Sequence, residues 1–144
     1  MVDIKIYTQI LGRVPLFSGL SEKQLKKLAN RLTKRDYPVG QAIITQGKGG
    51  EGLFILSEGI AEAVRVQPDG ETTTVNAFGV NDFFGELALL DEGLRTASVI
   101  AKSDVSCLIL TRWDFKGILK NEPEMAITML EEMAKRFRRA LETL

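Results

Sequence analysis

The sequence predicts a mainly β fold with flanking helices, and three observations predict it. From Asp36 onward the chain breaks into short β-rich pieces separated by glycine-bearing turns. Before and after that stretch, apolar residues recur at helical spacing instead of alternating. At 144 residues the chain has the length of one domain, enough to bury most of its unfolded surface around a single core. The expected boundaries are 1–144 for the domain, 35–111 for the β part and 112–144 for the C-terminal helices. Many short strands with regular turns suit a sandwich, a barrel or a jelly roll.

The elements follow in order. Ile4 to Val14 reads as a short helix, ended by Pro15 because proline disfavours helical geometry in the residue before it. In SGLSEKQLKKLANRL, Ser21 and Gln24 have capping-box spacing and Leu20 and Leu25 have hydrophobic-staple spacing, while Leu25, Leu28, Ala29 and Leu32 mark one buried face. The expected strands are AIITQ, GLFILSE, IAEAVRV, TTTVNAF, TASVIA and VSCLILT. Pro68, Asp69 and Gly70 supply a fixed dihedral and a position that accepts positive φ, so a hairpin is expected there. Thr111 caps a helix through Lys120, and Pro123 sits in the first turn of another running to Leu144. In that last helix Ala126, Met129, Leu130, Met133, Ala134, Phe137, Ala140 and Leu141 form one stripe, which has to cover something apolar. A homodimer through this C-terminal helix is the expected use.

Composition removes several classes of function. Nineteen basic and 19 acidic residues give zero formal charge, so the molecule lacks the positive field that announces nucleic-acid binding. The run Lys135, Arg136, Arg138 and Arg139 is interleaved with Glu131, Glu132 and Glu142 and reads as a solvated helix face. Histidine is absent and Cys107 is the lone cysteine, so neither a His-based catalytic triad nor a thiolate metal site can be assembled. Cys107 lies within VSCLIL and reads as a small buried hydrophobe. No apolar run approaches the roughly 18 to 20 residues that span a bilayer, and MVDIKIYTQILGRV lacks the continuous apolar block of a signal peptide. A cytoplasmic protein that is not an enzyme and has no membrane span is expected.

The chemistry concentrates in FFGELALLDEGLRTASV, Phe83 to Val99. Gly85 permits unusual dihedrals and close approach to the backbone, and the N–H groups of Gly85 to Ala88 suit an anion at the start of a short helix. Ionised Glu86 only accepts hydrogen bonds, which suits hydroxyl groups, while Arg95 offers a planar fork of donors for a phosphate. Thr96 and Ser98 alternate with Ala97 and Val99 along the expected strand, placing a hydroxyl and a small residue beside Arg95. An open alternative is that Glu86 and Arg95 simply pair with each other. Gly47, Gly49 and Gly50 crowd into GKGGEG, but the lysine-serine or lysine-threonine ending of a P-loop is missing, so a hairpin turn is the reading.

FGELALL followed by RTASV, together with VPLFSGLSEKQL, the Pro38-Val39-Gly40 turn, IITQG, LFILSEGIAEA, NDFFGEL and LTRWDF, resembles the cyclic nucleotide-binding domain family of catabolite activators and kinase regulatory subunits. The resemblance implies a double-stranded β-helix, a jelly-roll-like β-roll with N-terminal and C-terminal helices. It implies a cyclic nucleotide, cAMP or cGMP, as the ligand, with no metal or other cofactor. By the same resemblance Glu86 accepts the ribose 2′-hydroxyl, Arg95 neutralises the cyclic phosphate, and N–H groups near Gly85, Leu87, Ala88 and Thr96 complete the cradle, with Ala97 beside them. Thr96 leaves the base open, and cAMP is favoured because the rest of the chain looks like bacterial regulators. Where the family has glycine this chain has Asn81, the next most tolerant residue for left-handed backbone, so the turn is expected to survive. The implied function is a sensor that relays binding through its last helix. Its alternatives are the truncated ligand-binding half of a catabolite activator-like regulator and a degenerate roll used for protein contacts. No helix-turn-helix follows Leu144, so direct DNA binding by this chain is not expected.

Overall fold

The computed structural model describes residues 3–144; Met1 and Val2, included in the expected 1–144 boundary, lie outside them. Residues 33–112 form one compact unit, and residues up to Leu32 together with Trp113–Leu144 form another. In the first, β1 (Thr33–Tyr37), β8 (Val105–Thr111), β3 (Gly52–Glu58) and β6 (Phe83–Phe84) make one antiparallel sheet in the order β1-β8-β3-β6. The strands β2 (Ala42–Ile44), β7 (Ser98–Ala101), β4 (Ala61–Val66) and β5 (Thr72–Phe78) make a second, in the order β2-β7-β4-β5. Each sheet interleaves early and late strands, so the chain crosses repeatedly from one to the other. This is the β-roll that the resemblance implied, mainly β with helices before and after it.

Alternation along the strands explains the core. Every second residue of β8, Val105, Cys107 and Ile109, joins Phe54 and Leu56 of β3 and Ile44, Ala63, Val99 and Ala101 of the other sheet in one buried cluster. Phe54 and Phe84 stack with ring centroids 5.4 Å apart, and Phe78 tilts onto Phe84 at 4.8 Å. Rings of this size contribute about 1.5–3 kcal/mol each on full burial, so this aromatic group anchors β6 despite its two residues.

The turns follow their residues. At the β4–β5 hairpin Gly70 has φ +89°, and the Gln67 N–H donates to the Glu71 carbonyl at 2.8 Å. Asn81 adopts φ +73°, the left-handed conformation expected of it, and its N–H donates to the Leu56 carbonyl at 2.7 Å. Three segments depart from expectation. β1, TKRDY, was not anticipated: it pairs only with β8 and carries no apolar alternation, holding instead an Arg35–Glu51 ion pair at 2.7 Å. β2 stops at Ile44, and β7 starts only at Ser98 because Thr96 and Ala97 form a bend.

In the helical unit α1 (Ile4–Gly12) is capped by the Asp3 carboxylate, which accepts from the N–H groups of Lys5 and Ile6. It ends two residues before Val14, whose extended backbone leads into a single 3-10 turn at Pro15–Phe17. α2 (Glu22–Ala29) opens with the complete Ser21–Gln24 capping box. α3 spans Arg112–Asn121, and α4 spans Pro123–Glu142 with Pro123 at its first turn. Phe17 packs on Phe115 at 5.9 Å, and Lys27 pairs with Glu122. Of the stripe on α4 only Met129 is buried, with Met125 one turn before it, while Leu130, Phe137 and Leu141 are 65%, 66% and 51% exposed. Among the described residues no helix is long and apolar enough to cross a membrane.

Burial pushes the Cys107 thiol up from 9.0 to about 12, with the nearby Asp36 carboxylate adding to the effect. The folded state therefore holds this proton where the unfolded chain releases it. Its stabilising contribution is complete below pH 9.0 and declines as pH rises toward about 12. Urea melts between pH 8 and 11 are expected to show a steeper loss of stability in the parent chain than in Cys107→Ala; equal slopes would contradict it. Native protein is likewise expected to resist thiol reagents until it unfolds.

Candidate functional site

A cavity of about 370 Å³ opens in the β-roll, walled by Gly85, Leu87 and Ala88 on one side and by Leu94, Arg95, Thr96 and Ala97 on the other. Ile44, Phe84 and Val99 form its apolar floor. All the residues expected at the site from the sequence line this cavity except Glu86. Glu86 opens a 3-10 turn, Glu86–Leu89, between the lining residues Gly85 and Leu87; it is partly buried and has an interaction of its own. The cavity also takes in Asp91 and Gly93, but the Asp91 carboxylate accepts from the Gly93 N–H at 2.8 Å and so serves its own loop.

The backbone explains how Arg95 reaches the cavity. Gly85 has φ +87°, and a Cβ there would stand 2.6 Å from Arg95 Nη2 and 2.7 Å from the Gly52 carbonyl oxygen, so only glycine leaves room for the guanidinium. Across the cavity the Arg95 N–H donates to the Lys48 carbonyl at 2.9 Å and the Gly47 N–H donates to the Arg95 carbonyl at 2.8 Å. A Cβ on Gly50 would lie 2.6 Å from Ala88 Cβ and 3.2 Å from Arg95 Cζ. Within GKGGEG, read as a hairpin turn, Gly50 thus lies against the Arg95 side chain while Gly47 and Lys48 bond its main chain.

Burial lowers the Arg95 pKa from its ordinary value, and burial alone causes the shift. The pairing of Glu86 with Arg95 left open by the sequence is not found: among the described residues Arg95 takes part in no ion pair. A guanidinium stays protonated at any ordinary pH, so this is a partly desolvated cation without a counter-charge.

Two expectations about the cradle are corrected. The Ala88 N–H donates to the Gly85 carbonyl at 3.1 Å and closes the turn, so it is not aimed at an anion. Strand alternation does not place Thr96 and Ser98 together, because Thr96 lies in a bend and the Ser98 hydroxyl accepts from the Gln46 N–H at 2.8 Å. That bend is held by Arg65, whose Nε donates to the Thr96 carbonyl at 3.1 Å. Sequence reading missed Arg65, Gly50 and the apolar floor, whose positions become neighbours only through sheet pairing. The available signals for the floor were Phe84 and Val99, both within the Phe83–Val99 cassette.

An uncompensated guanidinium in a cavity with an apolar floor is an arrangement that suits a small anion with an apolar part. The chain belongs to the cyclic nucleotide-binding domain family, which it matches over residues 34–122. It is 41% identical over 115 residues to a cAMP-dependent protein kinase regulatory subunit of Aspergillus fumigatus, covering 80% of this chain and 27% of that one. It is 33% identical over 126 residues to the cyclic AMP receptor protein of Thermus thermophilus, covering 88% of this chain and 58% of that one. It therefore spans between a quarter and three fifths of these two relatives. Among solved structures it resembles the N-terminal domain of a transcriptional regulator from Streptomyces coelicolor A3(2), with a TM-score of 0.83 at 30% identity, covering 94% of this chain and 96% of that domain.

The crowding at Gly50 is directly testable. Gly50→Ala forces Ala88 or Arg95 to move and is expected to destabilise the fold by about 1–3 kcal/mol, the usual cost of overpacking. Denaturant unfolding measures it, and an unchanged midpoint would show that Gly50 does not pack against Ala88 and Arg95.

Proposed function

We propose that this chain is a sensor whose β-roll binds a cyclic nucleotide, cAMP in preference to cGMP, and that it carries out no catalysis. The observation that carries the reading is the unpaired, partly buried guanidinium of Arg95 in a cavity of about 370 Å³, inside the roughly 300–1,000 Å³ range of small-molecule sites. A cyclic phosphate has one negative charge, so one arginine and a few N–H groups neutralise it without a metal or other cofactor. In this reading Arg95 takes the phosphate, backbone N–H groups near Gly85, Leu87 and Thr96 support it, Ala97 leaves space, and the base lies over Ile44, Phe84 and Val99. Glu86 turns its carboxylate to a ribose hydroxyl. Similarity to a regulatory subunit and a receptor, both of which carry cAMP in their names, supports the choice of base. Cytoplasmic residence is part of the same reading.

Calorimetric titration with cAMP and cGMP tests the assignment. Arg95→Ala is expected to raise Kd by roughly tenfold to a few hundredfold, the loss of one to two hydrogen bonds to a charged group. Glu86→Ala is expected to raise Kd by about tenfold on the same basis. No heat from either nucleotide at millimolar concentration removes the function, and an unchanged Kd in Glu86→Ala removes the ribose role. Amide shifts of α4 recorded in the same titration test the relay to the last helix, which fails if they stay fixed at saturation.

A second reading, the ligand-binding half of a catabolite activator-like regulator, is favoured by the exposed face of α4. Leu130, Met133, Phe137 and Ala140 fall on alternating heptad positions, the seam by which one helix packs on a copy of itself. In that reading the chain forms a homodimer through α4, and any DNA contact belongs to a further domain. Sedimentation is expected to give twice the monomer mass, reduced to the monomer by Phe137→Glu. A parent chain that is monomeric at high micromolar concentration overturns this second reading.

A further inference from the structure

One buried side chain ties together the three segments that surround Arg95. Arg112 ends the β unit and is the first residue of α3; its side chain is 11% exposed. From a single nitrogen, Nη1, it donates to the Gly50 carbonyl at 3.0 Å and to the Ala88 carbonyl at 3.4 Å. Its Nη2 lies 3.3 Å from a Glu92 carboxylate oxygen, in the loop between the Glu86–Leu89 turn and Arg95. Its own N–H donates to the Glu51 carbonyl at 2.9 Å, so the main chain is fixed at the same place.

A Cβ on Gly50 would stand 2.6 Å from the Ala88 methyl and 3.2 Å from Arg95 Cζ, so the Gly50 backbone packs against both. The carbonyls of Gly50 and Ala88 are pulled together by the same guanidinium that holds Glu92. We propose that Arg112 is a positioning residue for anion binding, holding the Glu86–Leu89 turn at a fixed distance from the Gly50 backbone that abuts Arg95, so that Arg95 meets the phosphate at the correct distance. The inference rests on the cyclic nucleotide reading above and deepens it. Arg112 is not among the residues lining the cavity; it acts through the Gly50 backbone and the Glu86–Leu89 turn.

Arginine is required by geometry. A guanidinium is a rigid planar fork that addresses several acceptors in different directions, whereas lysine is a single point charge on a flexible stem. Arg112→Lys keeps the charge and loses the fork, which separates positioning from long-range attraction of an anion. Small displacements suffice, because hydrogen bonds weaken steeply with misalignment.

The test uses the whole chain as Arg112→Lys and Glu92→Gln, beside Arg95→Ala. Calorimetry with cAMP, run well below each melting temperature, is expected to give a Kd about tenfold higher for Arg112→Lys, one charged hydrogen bond misplaced. Glu92→Gln, on an exposed carboxylate, keeps the fold and is expected to give a smaller rise in the same direction. Hydrogen exchange without ligand supplies an independent readout: the turn-closing amides of Ala88, Leu90 and Asp91 are expected to exchange faster in Arg112→Lys, while those of β8 hold. If the parent chain binds neither nucleotide, the functional reading fails and the exchange arm still decides the clamp. If Arg95→Ala loses binding while Arg112→Lys keeps the parent Kd or the parent exchange pattern, the positioning role is overturned alone. Should Arg112→Lys not fold, unchanged affinity and exchange in Glu92→Gln would count against it equally.

Discussion

A cation taken partly out of water and given no counter-charge is the constraint around which the β-roll is arranged. Arg95 has lost solvent against Gly85 and Gly50, and burial lowers its pKa from the ordinary value. Desolvating a charge is costly unless something else compensates it, and here compensation is not supplied by the chain's own carboxylates. Asp91 is turned to its own loop, Glu92 faces Arg112, and Glu51 faces Arg35. Three acidic residues near the cassette are thus each given another partner, which leaves the guanidinium available to an anion from outside.

Holding such a group requires rigidity that a loop lacks. The fold provides it by crossing the chain between two sheets, so that the loop before β3 and the bend before β7 meet at the Arg95 backbone through the Lys48 and Gly47 bonds. Phe84 then links the site to the core, since its ring stacks on Phe54 while it also floors the cavity. Site and core share side chains, and the energy of aromatic burial serves to keep β6, and with it Gly85, in place.

How much of this was legible in the sequence depends on distance along the chain. Strands with clear boundaries, GLFILSE, TTTVNAF and VSCLILT, occupy the residues expected of them. So do the Ser21 cap and the left-handed Asn81, because each depends on near neighbours. TKRDY was invisible: its pairing with β8 is backbone chemistry that leaves no hydrophobic pattern on an edge strand with polar side chains. The Thr96-Ala97 bend was hidden for the opposite reason, since a β-rich composition outweighed the constraint set by Arg65 thirty-one residues earlier. The cassette from Gly85 to Ala97 was readable as a contiguous run, whereas Ile44, Gly50 and Arg112 enter only through sheet pairing and long-range hydrogen bonds.

The position of Arg112 gives the architecture its direction. Residues that line a pocket respond to its occupant, but a change propagates only where a lining segment is bonded to something that leaves the pocket. The Glu86–Leu89 turn and the Gly50 backbone beside Arg95 are both bonded to Arg112, which follows the last residue of β8 and begins α3. A ligand that drew the turn toward Arg95 would therefore act on the first residue of a helix through two carbonyl contacts. The coupling can be no larger than the ligand's preference for one position of the turn over the other. That limit makes the rigidity of the guanidinium fork matter: a stiff link transmits a small displacement that a flexible side chain would absorb.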